Sequence, residues 1–129
     1  MRIRVTILLL LASGTMLPAK LLVKVEEPKR SGGKAVVKLT IKNGFKEAVE
    51  SARASVLVLT EENKMAGQSS QWVIGGTKDK PALAPGATNT FNFVISTDKP
   101  FTKTKVTFTR IVLEGGNVVE APTNFEIVK

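Results

Sequence analysis

Few side chains in this chain are able to do chemistry, and the missing ones decide most. There is no His and no Cys. That removes imidazole acid–base catalysis, thiol nucleophiles, disulfides and the usual zinc and copper ligand sets together. Carboxylates come close at Glu26-Glu27, at Glu47 with Glu50, and at Glu61-Glu62. Paired carboxylates hydrolyse glycosides only when they flank a cleft at a set separation. Each of these pairs sits in or beside a turn signal, where the plain reading is solvated surface charge. Asp98, Glu61 and Glu62 offer oxygens to calcium, but no Asp-rich loop holds them. Ser69 or Ser70 would have only a Lys to activate it, with no spacing signature. No catalytic residue, metal ligand or cofactor is assigned.

What remains is binding chemistry. Trp72 is the single Trp. It either fills a core between two sheets or offers a face for a sugar ring to stack on. Phe45, in Gly44-Phe45-Lys46, either plugs the end of the fold or stands out as an apolar anchor. Lys46, Lys78 and Lys80 bring positive charge to the loops around them.

The elements that position these residues read as strands. Pro85-Gly86 presets a turn: Pro fixes φ, and Gly accepts the positive φ of a type II turn. Phe91, Phe93 and Ile95 then alternate with Asn92, Val94 and Ser96, the period-2 mark of a strand with one buried face. Residues 34–43 alternate as clearly, with Ala35, Val37, Leu39 and Ile41 on one side. These two apolar rows are expected to pack together. Residues 20–27 read as a first, edge strand. Residues 28–33 form a turn, and a loop longer than a tight hairpin follows Asn43-Gly44. Residues 49–60 and 65–74 read as strands about the polar turn 61–64. Residues 103–114 form a long strand, and a last strand is broken by Pro122.

Seven strands with turn signals every ten or so residues predict an all-β, two-sheet antiparallel immunoglobulin-like β-sandwich. In that topology the loops 43–48, 75–80 and 114–117 meet at one end, the candidate ligand surface. The alternation also makes a second forecast. If Val56, Val58, Val106 and Phe108 face inward, Leu57 and Leu59 face outward, and Ile111 and Leu113 join them there. A bulge at Thr109-Arg110 would instead return the last two to the core. Four aliphatic side chains on one outer face would be covered by another segment, or would form a partner or homodimer interface.

The chain has 129 residues, enough for one domain. Its first residues are a basic start, Met1-Arg2-Ile3-Arg4, an apolar run from Val5 to Leu11, and small residues ending at Ala19. Residues 1–19 therefore read as a signal peptide, or as an uncleaved anchor through which alone the chain would touch a membrane. Residues 20–129 form a single domain, and the expected location is extracytoplasmic, periplasmic or secreted. The formal net charge is +8, and without Arg2 and Arg4 it is +6. The positive charge is scattered, without interleaved aromatics, so nucleic acid is not the expected partner.

A strand ending at Asn43-Gly44 is followed by Ser55-Val56-Leu57-Val58-Leu59-Thr60, a polar turn, a Trp-bearing strand, and Leu83-Ala84-Pro85-Gly86 before Phe91-Asn92-Phe93. This order resembles the FxLYD and CARDB-like domains, immunoglobulin-like or fibronectin-III-like modules of bacterial and archaeal extracytoplasmic proteins. Val56 to Thr60 stand where the family's namesake motif falls, with its apolar character but without its Tyr and Asp. The resemblance spans roughly residues 34–95 and implies an adhesive, structural or ligand-presenting role, with no catalytic residues to carry over. The expected function is thus a non-enzymatic binding or structural module that engages a protein partner or a cell-surface assembly. The alternative is a carbohydrate- or polyanion-binding module using Trp72, Phe45 and the loop lysines.

Overall fold

A computed structural model describes residues 19–76 and 80–128. The chain is all-β, with two sheets. In chain order the strands are β1 (Leu21–Val25), β2 (Lys29–Ser31), β3 (Lys34–Asn43), β4 (Val49–Leu59), β5 (Met65–Ile74), β6 (Thr88–Ser96), β7 (Lys103–Leu113), β8 (Asn117–Val119) and β9 (Phe125–Val128).

The first sheet is organised around β3. Along one side it pairs with β6, from Lys34↔Ser96 to Lys42↔Thr88 without a register break. Along the other side β2 pairs with its first half and β1 with its second. As the alternation predicts, Val37 and Leu39 lie buried across from Phe93 and Phe91, and Val94 on the opposite face is 47% exposed. The Pro-Gly turn also forms. Gly86 has φ 78° and the Ala87 N–H donates to the Ala84 carbonyl at 3.0 Å, a type II arrangement.

The second sheet has the order β5-β4-β7-β8. The inward residues of the two sheets form one core. The layers approach closely at Gly67, where an added Cβ would fall 2.7 Å from Ile95 Cγ2. The expected seven strands become nine among the described residues, because short β2, β8 and β9 form as separate pairings. One pairing is not antiparallel. The 3-10 turn Ala121–Thr123, started by Pro122, carries the chain from the second sheet to the first. There β9 runs parallel to β1, and the Leu21 N–H donates to the Asn124 carbonyl at 3.0 Å.

Candidate functional site

The loop end is built from Asn43. Its side chain is 1% exposed and makes three hydrogen bonds. Nδ2 donates to the Glu47 and Leu83 carbonyls, each at 2.9 Å, and Oδ1 accepts the Phe45 N–H at 2.8 Å. The loop after β3 is thereby curled onto the sandwich end and tied to the segment that precedes β6. Val49 and Leu83 exchange backbone hydrogen bonds at 2.9 Å, and the Glu114 N–H reaches the Ala48 carbonyl at 2.9 Å. The described parts of loops 43–48, 75–80 and 114–117 do lie at one end. At the other end, Thr97 N–H bonds the Gly33 carbonyl and Thr102 N–H the Leu59 carbonyl.

Not every residue expected at this end is available to a ligand. Phe45 is only 6% exposed and belongs to the core, so it is the plug and not the anchor. The Asn43 bond to its N–H turns it inward. Lys46 is exposed. Lys80 is half-buried, with Nζ 5.4 Å from the Phe91 ring centroid. Lys78 lies outside the described residues. A cleft of about 350 Å³ opens between residues 80–83 and the start of β6, with Val73 and Phe91 lining it.

Trp72 is not core. One residue of β5, Val73, is extra between the pairs Ala52↔Ile74 and Arg53↔Trp72, so Ile74 points inward and Trp72 outward. The indole is half-buried on the outer face of the second sheet. The Arg53 guanidinium carbon lies 5.8 Å from its ring centroid, and Gly76 passes so close that an added Cβ would overlap it.

The proposed aliphatic outer face does not assemble. Thr109 is the extra residue between Arg53↔Arg110 and Ala54↔Phe108, a bulge that resets the parity of β7. Ile111 and Leu113 are consequently buried at 0% and 3% exposure. Leu57 and Leu59 do face outward and are half-buried, next to Lys105 and Lys103 across the sheet. A homodimer face made of all four residues is therefore ruled out.

The carboxylates are dispersed. Glu26 lies 3.8 Å from Lys38, Glu50 Oε2 accepts the Gly115 N–H at 2.9 Å, and Glu61 and Glu62 are exposed. Among the described residues no three His, Cys, Asp or Glu side chains converge on a metal-sized site. No helix among them is long and apolar enough to cross a membrane.

One feature that pattern reading missed is the outer edge of β6, which among the described residues pairs with β3 alone. Asn43 N–H donates to the Ala87 carbonyl and Thr97 N–H to the Gly33 carbonyl, so the odd-numbered residues hydrogen-bond toward β3. Antiparallel alternation then turns the N–H and C=O groups of Thr88, Thr90, Asn92, Val94 and Ser96 to the open side. This nine-residue strand has no charge, no proline and no bulge. The neighbouring edge, β5, is blunted differently. Its bulged residues Ala66 and Val73 offer carbonyls that Thr97 Oγ1 and Asn89 Nδ2 bind at 2.6 and 3.2 Å.

No family model matches the chain, and no curated protein matches it. Solved structures do share its fold. A Bordetella pertussis protein provisionally named ApaA superposes with a TM-score of 0.58 at 20% identity, over 84% of this chain and 91% of its own. A structural-genomics target designated SoR45 gives 0.54 at 19% identity, over 79% of this chain and 78% of its own. IrmA from Escherichia coli gives 0.55 at 10% identity, over 84% of this chain and 90% of its own. At these identities the likeness is one of fold.

Proposed function

We propose that the protein is a non-enzymatic, immunoglobulin-like binding module of the FxLYD and CARDB-like kind. Residues 1–19 export it, and it engages a protein partner or a cell-surface assembly outside the cytoplasm. The observation that carries the reading is the β6 edge. Exposed edge strands are normally blunted by charge, proline or bulges, because their free N–H and C=O groups template pairing with another chain. An edge that lacks all three devices over nine residues suits the addition of an extended segment from a partner. The loop-based carbohydrate alternative has less support, because it needs Phe45 at the surface.

The test uses the mature chain, residues 20–129, applied to the envelope fraction of cells that make it. Saturable binding that is lost in the Thr90→Lys, Val94→Lys variant, at an unchanged thermal midpoint, supports the proposal. Binding that survives the lysines, or no binding at all, refutes it. Recovery of an exported protein shortened at residue 14 or 19 would support the leader. Retention of the full chain in the cytoplasm would refute it.

A further inference from the structure

The outer face of the β5-β4-β7-β8 sheet carries a second surface, independent of the β6 edge. Arg53 and Arg110 are directly opposed on β4 and β7. Like charges facing each other across a strand pair destabilise a sheet, so this placement calls for a compensating group. Among the described residues no carboxylate is found in an ion pair with either arginine, and the carboxylate nearest in register, Glu120 just past β8, stands across from Arg110. Strands β4, β5 and β7 contain a single carboxylate, Glu50, and it is engaged with the Gly115 N–H. The ion pairs found among the described residues, Lys20 with Glu126 and Lys38 with Glu26, involve neither arginine.

Arg53 is held in place. Its Nη2 donates to the Ser70 carbonyl at 3.4 Å, and its guanidinium lies beside Trp72. Along β7 the same face continues through Thr107 to Lys105 and Lys103, a line of roughly 20 Å at strand rise. Thr107, Gln68 and Ser70 add hydroxyl and amide groups on this face, while Ser55 between them is buried and its Oγ accepts from Gln68 Nε2 at 3.3 Å.

We infer that this face binds an anionic polysaccharide. Arg53 and Arg110 together grip one carboxylate, sulfate or phosphate group, Trp72 flanks the sugar ring, and Lys105 and Lys103 take further charges along the chain. The guanidinium fork suits planar or tetrahedral oxyanions, and two forks side by side suit one better than scattered lysines do. Thr107, Gln68 and Ser70 match sugar hydroxyls, and Leu57 and Leu59, half-buried beside Lys105 and Lys103, offer apolar surface to the ring faces. A single indole gives no series of platforms for nucleic-acid bases.

Trp72 is the only Trp, so its fluorescence reports on the site directly. The mature protein is titrated with polygalacturonate, heparin, neutral dextran, duplex DNA and phosphatidylglycerol vesicles. The expected result is a saturable fluorescence change with polygalacturonate or heparin, and whichever is tighter identifies the anion. That affinity should weaken with salt and fall roughly tenfold or more in Arg53→Gln, Arg110→Gln. An equal charge change on the other sheet, Lys38→Gln, Lys42→Gln, should alter it less than about threefold. The thermal midpoint of Arg110→Gln alone should not fall, since it relieves the opposed charges. Equal losses in the two double variants would overturn the inference, leaving net charge as the cause. Silence with both anionic polymers, dextran binding as tightly as either, or tighter binding to DNA or vesicles would overturn it as well.

Discussion

Asn43→Ala should be among the most damaging single polar substitutions in the chain, and the structure sets the size of the loss. Three hydrogen bonds disappear. They do not count equally. The Leu83 carbonyl keeps its bond from the Val49 N–H, so it loses one of two partners. The Glu47 carbonyl is only partly buried, and water can replace the amide there. The Phe45 N–H is buried and is left with nothing. An orphaned buried donor costs about 1–3 kcal/mol, and a replaceable bond about 0.5–1.5 kcal/mol. Together these give a destabilisation of about 3 kcal/mol. Urea unfolding should show it as a lower midpoint at an unchanged slope. The Phe45 amide should also lose its protection from hydrogen exchange. Lys46→Ala, in the same loop but exposed, should stay within about 0.5 kcal/mol of wild type. A loss below about 1 kcal/mol in Asn43→Ala would refute the claim that this amide organises the loop end.

Other substitutions test the frame. Gly86→Val places a β-branched side chain at φ 78° and should cost about 1–3 kcal/mol in chemical denaturation, although nothing crowds the site; an unchanged midpoint would contradict the turn. Gly67→Val drives a side chain into Ile95 and Thr97, and should lower stability by about 1–3 kcal/mol by forcing the two sheets apart. Leu113→Glu should fail to fold, as judged by circular dichroism, whereas Leu57→Glu should fold with a modest loss; equal behaviour would mean that the β7 bulge is misplaced.

The parts of this fold that were legible in the sequence are those where alternation runs unbroken. β3 and β6 have strict period-2 patterns and pair without a register break, so their inward rows follow from residue type alone. The Pro85-Gly86 turn was legible because backbone chemistry dictates it. Errors begin at the bulges. Thr109 and Val73 each insert one residue, and one residue exchanges the two faces of everything beyond it. Ile111 and Leu113 enter the core, as the bulge reading of Thr109-Arg110 has it. The clash of parity between Val106, Phe108 and Ile111, Leu113 marks the place but does not choose between a bulge and an outward apolar row, whereas nothing local takes Trp72 out of the core. The opposition of Arg53 and Arg110 is hidden for the same reason, since it exists only once the register is known. Asn43 reads locally as a strand stop; its partner at Leu83 lies 40 residues away, beyond any local pattern.

The β6 edge is the proposed place where another chain joins. The direct measurement is site-specific photo-crosslinking of the protein in the cells that make it. The photoreactive residue replaces Val94 on β6 or, as a control of comparable exposure, Val118 on the other sheet. The expected result is one discrete polypeptide adduct from position 94, absent from position 118 and abolished by Asn92→Pro at an unchanged fold. Adduct mass then distinguishes a second copy of this chain from a different protein. No polypeptide adduct at position 94, or the same adducts from both positions, would contradict the account.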